Sequence, residues 1–81
     1  MPSVERVQTG VRIEKRILKV LKALAEYHDM SLGDLLEGIV LHAFEGKSPF
    51  TDSESKTRIQ TLKDVYGLDL TARDSHSLRE R

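Results

Sequence analysis

Arg6-Val7-Gln8-Thr9-Gly10-Val11-Arg12-Ile13 alternates polar and apolar residues with period two, and immediately afterwards the chain changes to a period of 3.6. In an extended segment Val7, Thr9, Val11 and Ile13 share one face, and Arg6, Gln8, Gly10 and Arg12 share the other. One strand cannot bury its apolar face alone. No second strand-like run lies nearby, so the economical partner is the same segment of a second copy. The outward face of such a ribbon would carry paired Arg and Gln side chains, a shape and chemistry that fit the DNA major groove.

Downstream, Ile17, Val20, Leu21, Leu24 and Ala25 recur at i, i+3, i+4, i+7 and i+8, which predicts a first helix from Glu14 to His28. Ser31 then supplies an N-cap, Asp34 an acidic variant of the capping box, and Met30 with Leu35 a hydrophobic staple. The second helix is expected to turn Leu32, Leu35, Leu36, Ile39, Val40, Ala43 and Phe44 inward, with Gly46 and Pro49 ending it. Residues 47–52 gather Ser, Pro, Thr and Asp and read as a linker. From Ser53 to Tyr66 a narrower stripe of Ile59, Leu62, Val65 and Tyr66 predicts a third helix, closed by Gly67. The resulting division is a flexible N-terminus at 1–5, a strand and two helices at 6–46, the linker at 47–52, a helical extension at 53–70 and a disordered polar tail at 71–81.

At 81 residues the chain is one small domain with tails, near the size at which a lone core becomes marginal and dimerisation helps. The absence of cysteine excludes disulfides and thiolate metal sites and suits a reducing cytoplasm. No apolar run is long enough for a membrane span, and the N-terminus has no signal-peptide core. Net charge is zero but unevenly spread. Residues 1–28 hold six Lys/Arg against three Asp/Glu, residues 29–54 hold one against six, and residues 55–81 hold six against four. Screening confines charge effects to about 8–10 Å at ordinary salt, so the basic N-terminal third can act locally, while the neutral whole predicts weak non-specific DNA affinity.

The order strand, helix, capped turn, helix resembles the ribbon-helix-helix family of DNA-binding repressors, with Val11, Arg12 and Ile13 at the strand end, Leu21, Leu24 and Ala25 at helix-one core positions, and Met30 and Ser31 at the turn. The resemblance covers Arg6 to about Glu45. It implies a mainly α chain with one short N-terminal strand, forming an intertwined homodimer whose two-stranded antiparallel ribbon enters the major groove, with the third helix added at the C-terminus. It makes Gln8, Gly10 and Arg12 the base-contacting trio. Arg12 would donate to guanine and Gln8 would pair with adenine, each good bidentate contact giving about 1–3 kcal/mol of discrimination. Gly10 departs from the family, which presents a side chain at that position.

Ser31, Leu32 and Gly33 offer free backbone N–H groups at a helix start and are expected to hold phosphate. Asp34 opposes this unless it points away. Lys15 and Arg16, nearest the strand, are the remaining expected phosphate contacts, with Lys19 and Lys22 read as a solvated helix face. His28, His42 and His76 are too scattered for a metal motif, and nothing forms a catalytic constellation or cofactor loop, so neither enzyme nor cofactor is expected. The leading expectation is a sequence-specific transcriptional repressor that binds double-stranded DNA. The alternative is a protein-interaction module, such as an antitoxin, in which residues 47–70 fold on a partner protein.

Overall fold

A computed structural model describes residues 2–81. Three helices follow one another: α1 (Lys15–Tyr27), α2 (Leu32–Phe44) and α3 (Ser53–Tyr66), with a short 3₁₀ turn, Ala72–Asp74, beyond them. Each helix begins on a side-chain cap. A Glu14 carboxylate oxygen accepts from the backbone N–H groups of Arg16 (3.0 Å) and Ile17 (3.1 Å). Ser31 Oγ accepts from Asp34 N (3.1 Å), and Asp52 Oδ2 accepts from Ser55 N (2.9 Å). These bonds satisfy donors that a helix start otherwise leaves open.

The helices also end alike. After α1, Met30 N donates to Ala25 O (3.0 Å) and Asp29 N to Glu26 O (3.1 Å). After α2, Lys47 N donates to His42 O (2.9 Å) and Gly46 N to Ala43 O (3.0 Å); after α3, Leu68 N donates to Lys63 O (2.8 Å). This six-to-one closure requires a left-handed residue at the bend. Gly46 (φ 69°) and Gly67 (φ 65°) provide it without strain, but Asp29 adopts φ 55° with a side chain attached.

The core is centred on α1. Val20, Leu24 and Ala25 of α1 and Leu35 of α2 are buried. Leu21, Ile39, Phe50, Ile59 and Leu62 pack around Leu24, Ala25 and Leu35, so α2 and α3 both lean on α1. Residues 68–78 continue past α3 and line the groove between α1 and α3, with Leu68, Leu70 and Leu78 beside Ile17, Val20 and Ile59.

Two expectations need correction. Among the described residues there is no strand, and the fold is all-α. The N-terminal strand, the two-stranded ribbon and the ribbon-helix-helix architecture that depends on them are therefore overturned. Residues 6–13 form an irregular arm without helix or ladder, leaving Val7 77% and Val11 75% exposed. Period-two alternation says which side chains share a face once a segment is extended. It does not supply the neighbouring backbone that makes a strand. The second correction concerns α2. Of its seven expected inward residues only Leu35 is buried; Leu32, Leu36 and Ile39 are half-buried, and Val40, Ala43 and Phe44 face solvent. The apolar arc of α2 is wider than the single face that α1 covers.

Two outcomes follow from the caps and bends. Asp29→Gly should relieve the left-handed strain and stabilise the fold by about 0.5–1 kcal/mol after the entropy cost of glycine, read as a higher urea midpoint. Hydrogen bonds from the backbone and side chain of Ser55 hold the Asp52 carboxyl below the usual carboxylate range. Glu14 is likewise lowered: desolvation raises it, but bonds from Ile17 and Arg16 outweigh that. Depressed folded-state values stabilise above the unfolded carboxylate range and lose that contribution as pH falls from it through the lower folded values, so the melting temperature should drop as pH falls below about 5. Asp52→Asn should flatten part of that drop.

Candidate nucleic-acid interface

The basic N-terminal third places its charges in two different situations. Arg6, Arg12 and Arg16 are engaged by carboxylates. Arg6 Nε and Nη2 donate to the two oxygens of Glu37 on α2 (2.9 and 2.7 Å). That hydrogen-bonded pair raises the guanidinium and lowers the Glu37 carboxyl, and the nearby Asp34 charge adds to the effect on Arg6. Arg12 pairs with Glu80. Arg16 joins the start of α1 to the segment after α3, donating to Glu14 (3.2 Å), Asp69 Oδ1 (2.9 Å) and Gly67 O (3.0 Å).

Lys15, Lys19 and Lys22 form the other group. At i, i+4 and i+7 they share one stripe of α1, opposite the face that carries Val20 and Leu24. All three are exposed and none takes part in an ion pair. The Lys19 ammonium lies over the Tyr66 ring, 5.8 Å from its centroid, and the residue stays exposed. Glu26 is the one carboxylate on the same stripe, at its far end.

The expected contact residues thus fall at separate places. Gln8 and Gly10 are exposed on the arm, and nothing lies within 4 Å of where a Gly10 side chain would begin. Arg12 is exposed but paired, Arg16 is half-buried in its clamp, and Lys15 is free. Ser31 and Gly33 are exposed at the start of α2, Leu32 is half-buried beside them, and the space around Gly33 is open. Lys15 and Ser31 stand at opposite ends of α1, separated by roughly the 20 Å that a 13-residue helix spans. The Arg6–Glu37 pair brings the arm beside the first turns of α2, so the arm and the α2 start are neighbours. In sequence Lys19 and Lys22 look like ordinary solvated lysines. The signal that sets them apart is their shared stripe combined with the absence of ion pairs, and only the second half of that needs a structure.

No family of known proteins, no curated protein and no solved structure matches the chain. Among the described residues no group of three His, Cys, Asp or Glu side chains could hold a metal ion, and no helix is long and apolar enough to cross a membrane.

Gly33→Glu tests the start of α2. Its side chain meets open space, so the fold and the Ser31 cap should survive, while a carboxylate stands where a phosphate would sit. DNA affinity should fall alike for all sequences, since phosphate contacts position without reading bases. A folded variant with full affinity would remove Ser31, Leu32 and Gly33 from the interface.

Proposed function

We propose that the chain binds double-stranded DNA and acts as a transcriptional regulator of the repressor kind. The observation that carries this reading is the unpaired row of Lys15, Lys19 and Lys22 on α1, continuous in sequence with an exposed arm bearing Arg6, Gln8, Gly10 and Arg12. The row supplies phosphate contacts and the arm supplies groove contacts, as extended N-terminal arms do when they lie along a groove beside a docked helix. Arg12 and Gln8 carry the base-reading chemistry in this arrangement. Arg12 exchanges Glu80 for DNA on binding. Both partners of that pair are largely solvated, so breaking it costs little.

A second reading, a protein-interaction module of the antitoxin kind, draws on a separate observation: α2 leaves Val40, Leu41 and Phe44 exposed. On that reading α2 is the docking element, because Ile59 and Leu62 of α3 already pack on the core of their own chain.

The DNA reading is tested by the salt dependence of binding to random-sequence duplex. Each phosphate neutralised adds about 0.9 to the slope of log affinity against log salt, so replacing Lys15, Lys19 and Lys22 together with Ala should reduce that slope by about 3 per bound chain. The stripe faces solvent, so the folded state should persist, as circular dichroism would report. An unchanged slope in the triple variant, or no DNA binding by the native chain at low salt, would overturn the proposal.

A further inference from the structure

The segment that follows α3 builds a groove with α1 and α3, of about 310 Å³. That volume lies at the lower end of small-molecule sites, which run from about 300 to 1,000 Å³. The apolar lining is aliphatic throughout: Ile17 and Val20 of α1, Ile59 of α3, and Leu68, Leu70 and Leu78 of the closing segment. Of these only Val20 is buried, and Leu78 is 49% exposed, so the chain leaves this lining open to an apolar guest.

Two charged groups line the same groove, one from each wall. Lys63 stands one turn beyond Ile59 on α3, half-buried and in no ion pair. Asp74, also half-buried, belongs to the 3₁₀ turn, where its Oδ2 accepts from Thr71 N (2.7 Å) and Thr71 Oγ1 (3.3 Å). Those bonds hold the carboxylate in place, but no cation pairs with it, Lys63 included. The nearby Asp69 is already matched by Arg16 at 2.9 Å.

We propose that this groove binds a small zwitterion with an aliphatic side chain, a free α-amino acid of the leucine kind. The side chain lies on the aliphatic lining, the carboxylate meets Lys63 and the ammonium meets Asp74. Apolar burial alone would accept any small hydrocarbon group. The unpaired cation and anion select a guest that carries both charges, because a guest with only one leaves the other group partly desolvated and without a partner. Hydrogen bonds between ionised groups are the strong kind, and two of them fix the orientation of the guest. A leucine inside a protein chain does not meet this demand, since its amine and carboxylate are consumed in peptide bonds. Val20 lies on the face of α1 opposite the lysine row, so the site neither uses nor requires DNA binding.

Heteronuclear NMR titration of the full chain with L-leucine tests the site, with isocaproate, which lacks the amine, and isoamylamine, which lacks the carboxylate, as companion probes. Leucine should shift the backbone signals of Leu68, Leu70 and Thr71 with a dissociation constant on the order of 1 mM, as so small a guest allows. Each companion should bind about tenfold more weakly or worse. Lys63→Gln should weaken leucine by about tenfold and leave isoamylamine unchanged. Asp74→Asn, whose side-chain oxygen can still accept from Thr71, should weaken leucine similarly and leave isocaproate unchanged. The three probes on the native chain need no variant to fold. Equal binding of leucine and either companion overturns the proposal, as do shifts confined to other parts of the chain. No shift in the native chain at about 20 times the expected dissociation constant overturns it as well.

Discussion

The packing of Leu24 and Ala25 against Leu35 is the contact on which the rest of the fold depends. Both α2 and α3 reach the interior by touching α1, and α1 alone among the three helices buries residues on two successive turns. Its apolar residues gather on one side and its opposite face is strongly charged, so the helix has a single way to orient. That orientation also sets the candidate interface: once Val20 and Leu24 point inward, Lys15, Lys19 and Lys22 must point outward, in a row. One helix thus supplies the interior on one side and the charged surface on the other.

With so few buried residues, the ends of the elements matter more than they would in a larger domain. Three side-chain caps and three closing bends define where each helix starts and stops, and the arginines then bind the termini back to the body. Arg16 draws the segment after α3 to the start of α1, and Arg6 draws the arm to α2. Each pair is solvated and contributes little alone. Their effect is to choose among arrangements that the small core does not distinguish. Together with Arg12–Glu80, the same pairs match three of the six N-terminal cations with carboxylates, so the unpaired positive charge of this region is the lysine stripe.

The helices were legible because their signals are local. Ser31 caps α2 by reaching three residues ahead, Gly46 and Gly67 close α2 and α3 through bonds spanning six residues, and the Ser53–Tyr66 helix occupies the span its pattern predicts. Asp29 is the instructive exception among the bends, since it takes the left-handed position without being glycine. The arm departs from its strand-like pattern for the opposite reason. A strand is defined by a ladder to other backbone, and the alternation of Val7, Thr9, Val11 and Ile13 carries no information about whether that backbone is there. The resemblance to a ribbon-forming family requires that strand, and without it the matching spacing of Leu21, Leu24, Ala25, Met30 and Ser31 describes only two helices joined by a capped turn.

Sequence alone determined the number of helices, their boundaries and the apolar stripe of α1, because capping, left-handed closure and 3.6-residue periodicity act within one or two turns. Tertiary structure decided which cations are free and which apolar residues are covered. Arg12 and Lys15 look alike in the chain until Glu80, 68 residues away, occupies one and nothing occupies the other. Leu35 and Phe44 are both large apolar residues of α2, yet one is 6% exposed and the other 80%. Burial and pairing are properties of what folds alongside a residue, and no local pattern specifies the neighbour.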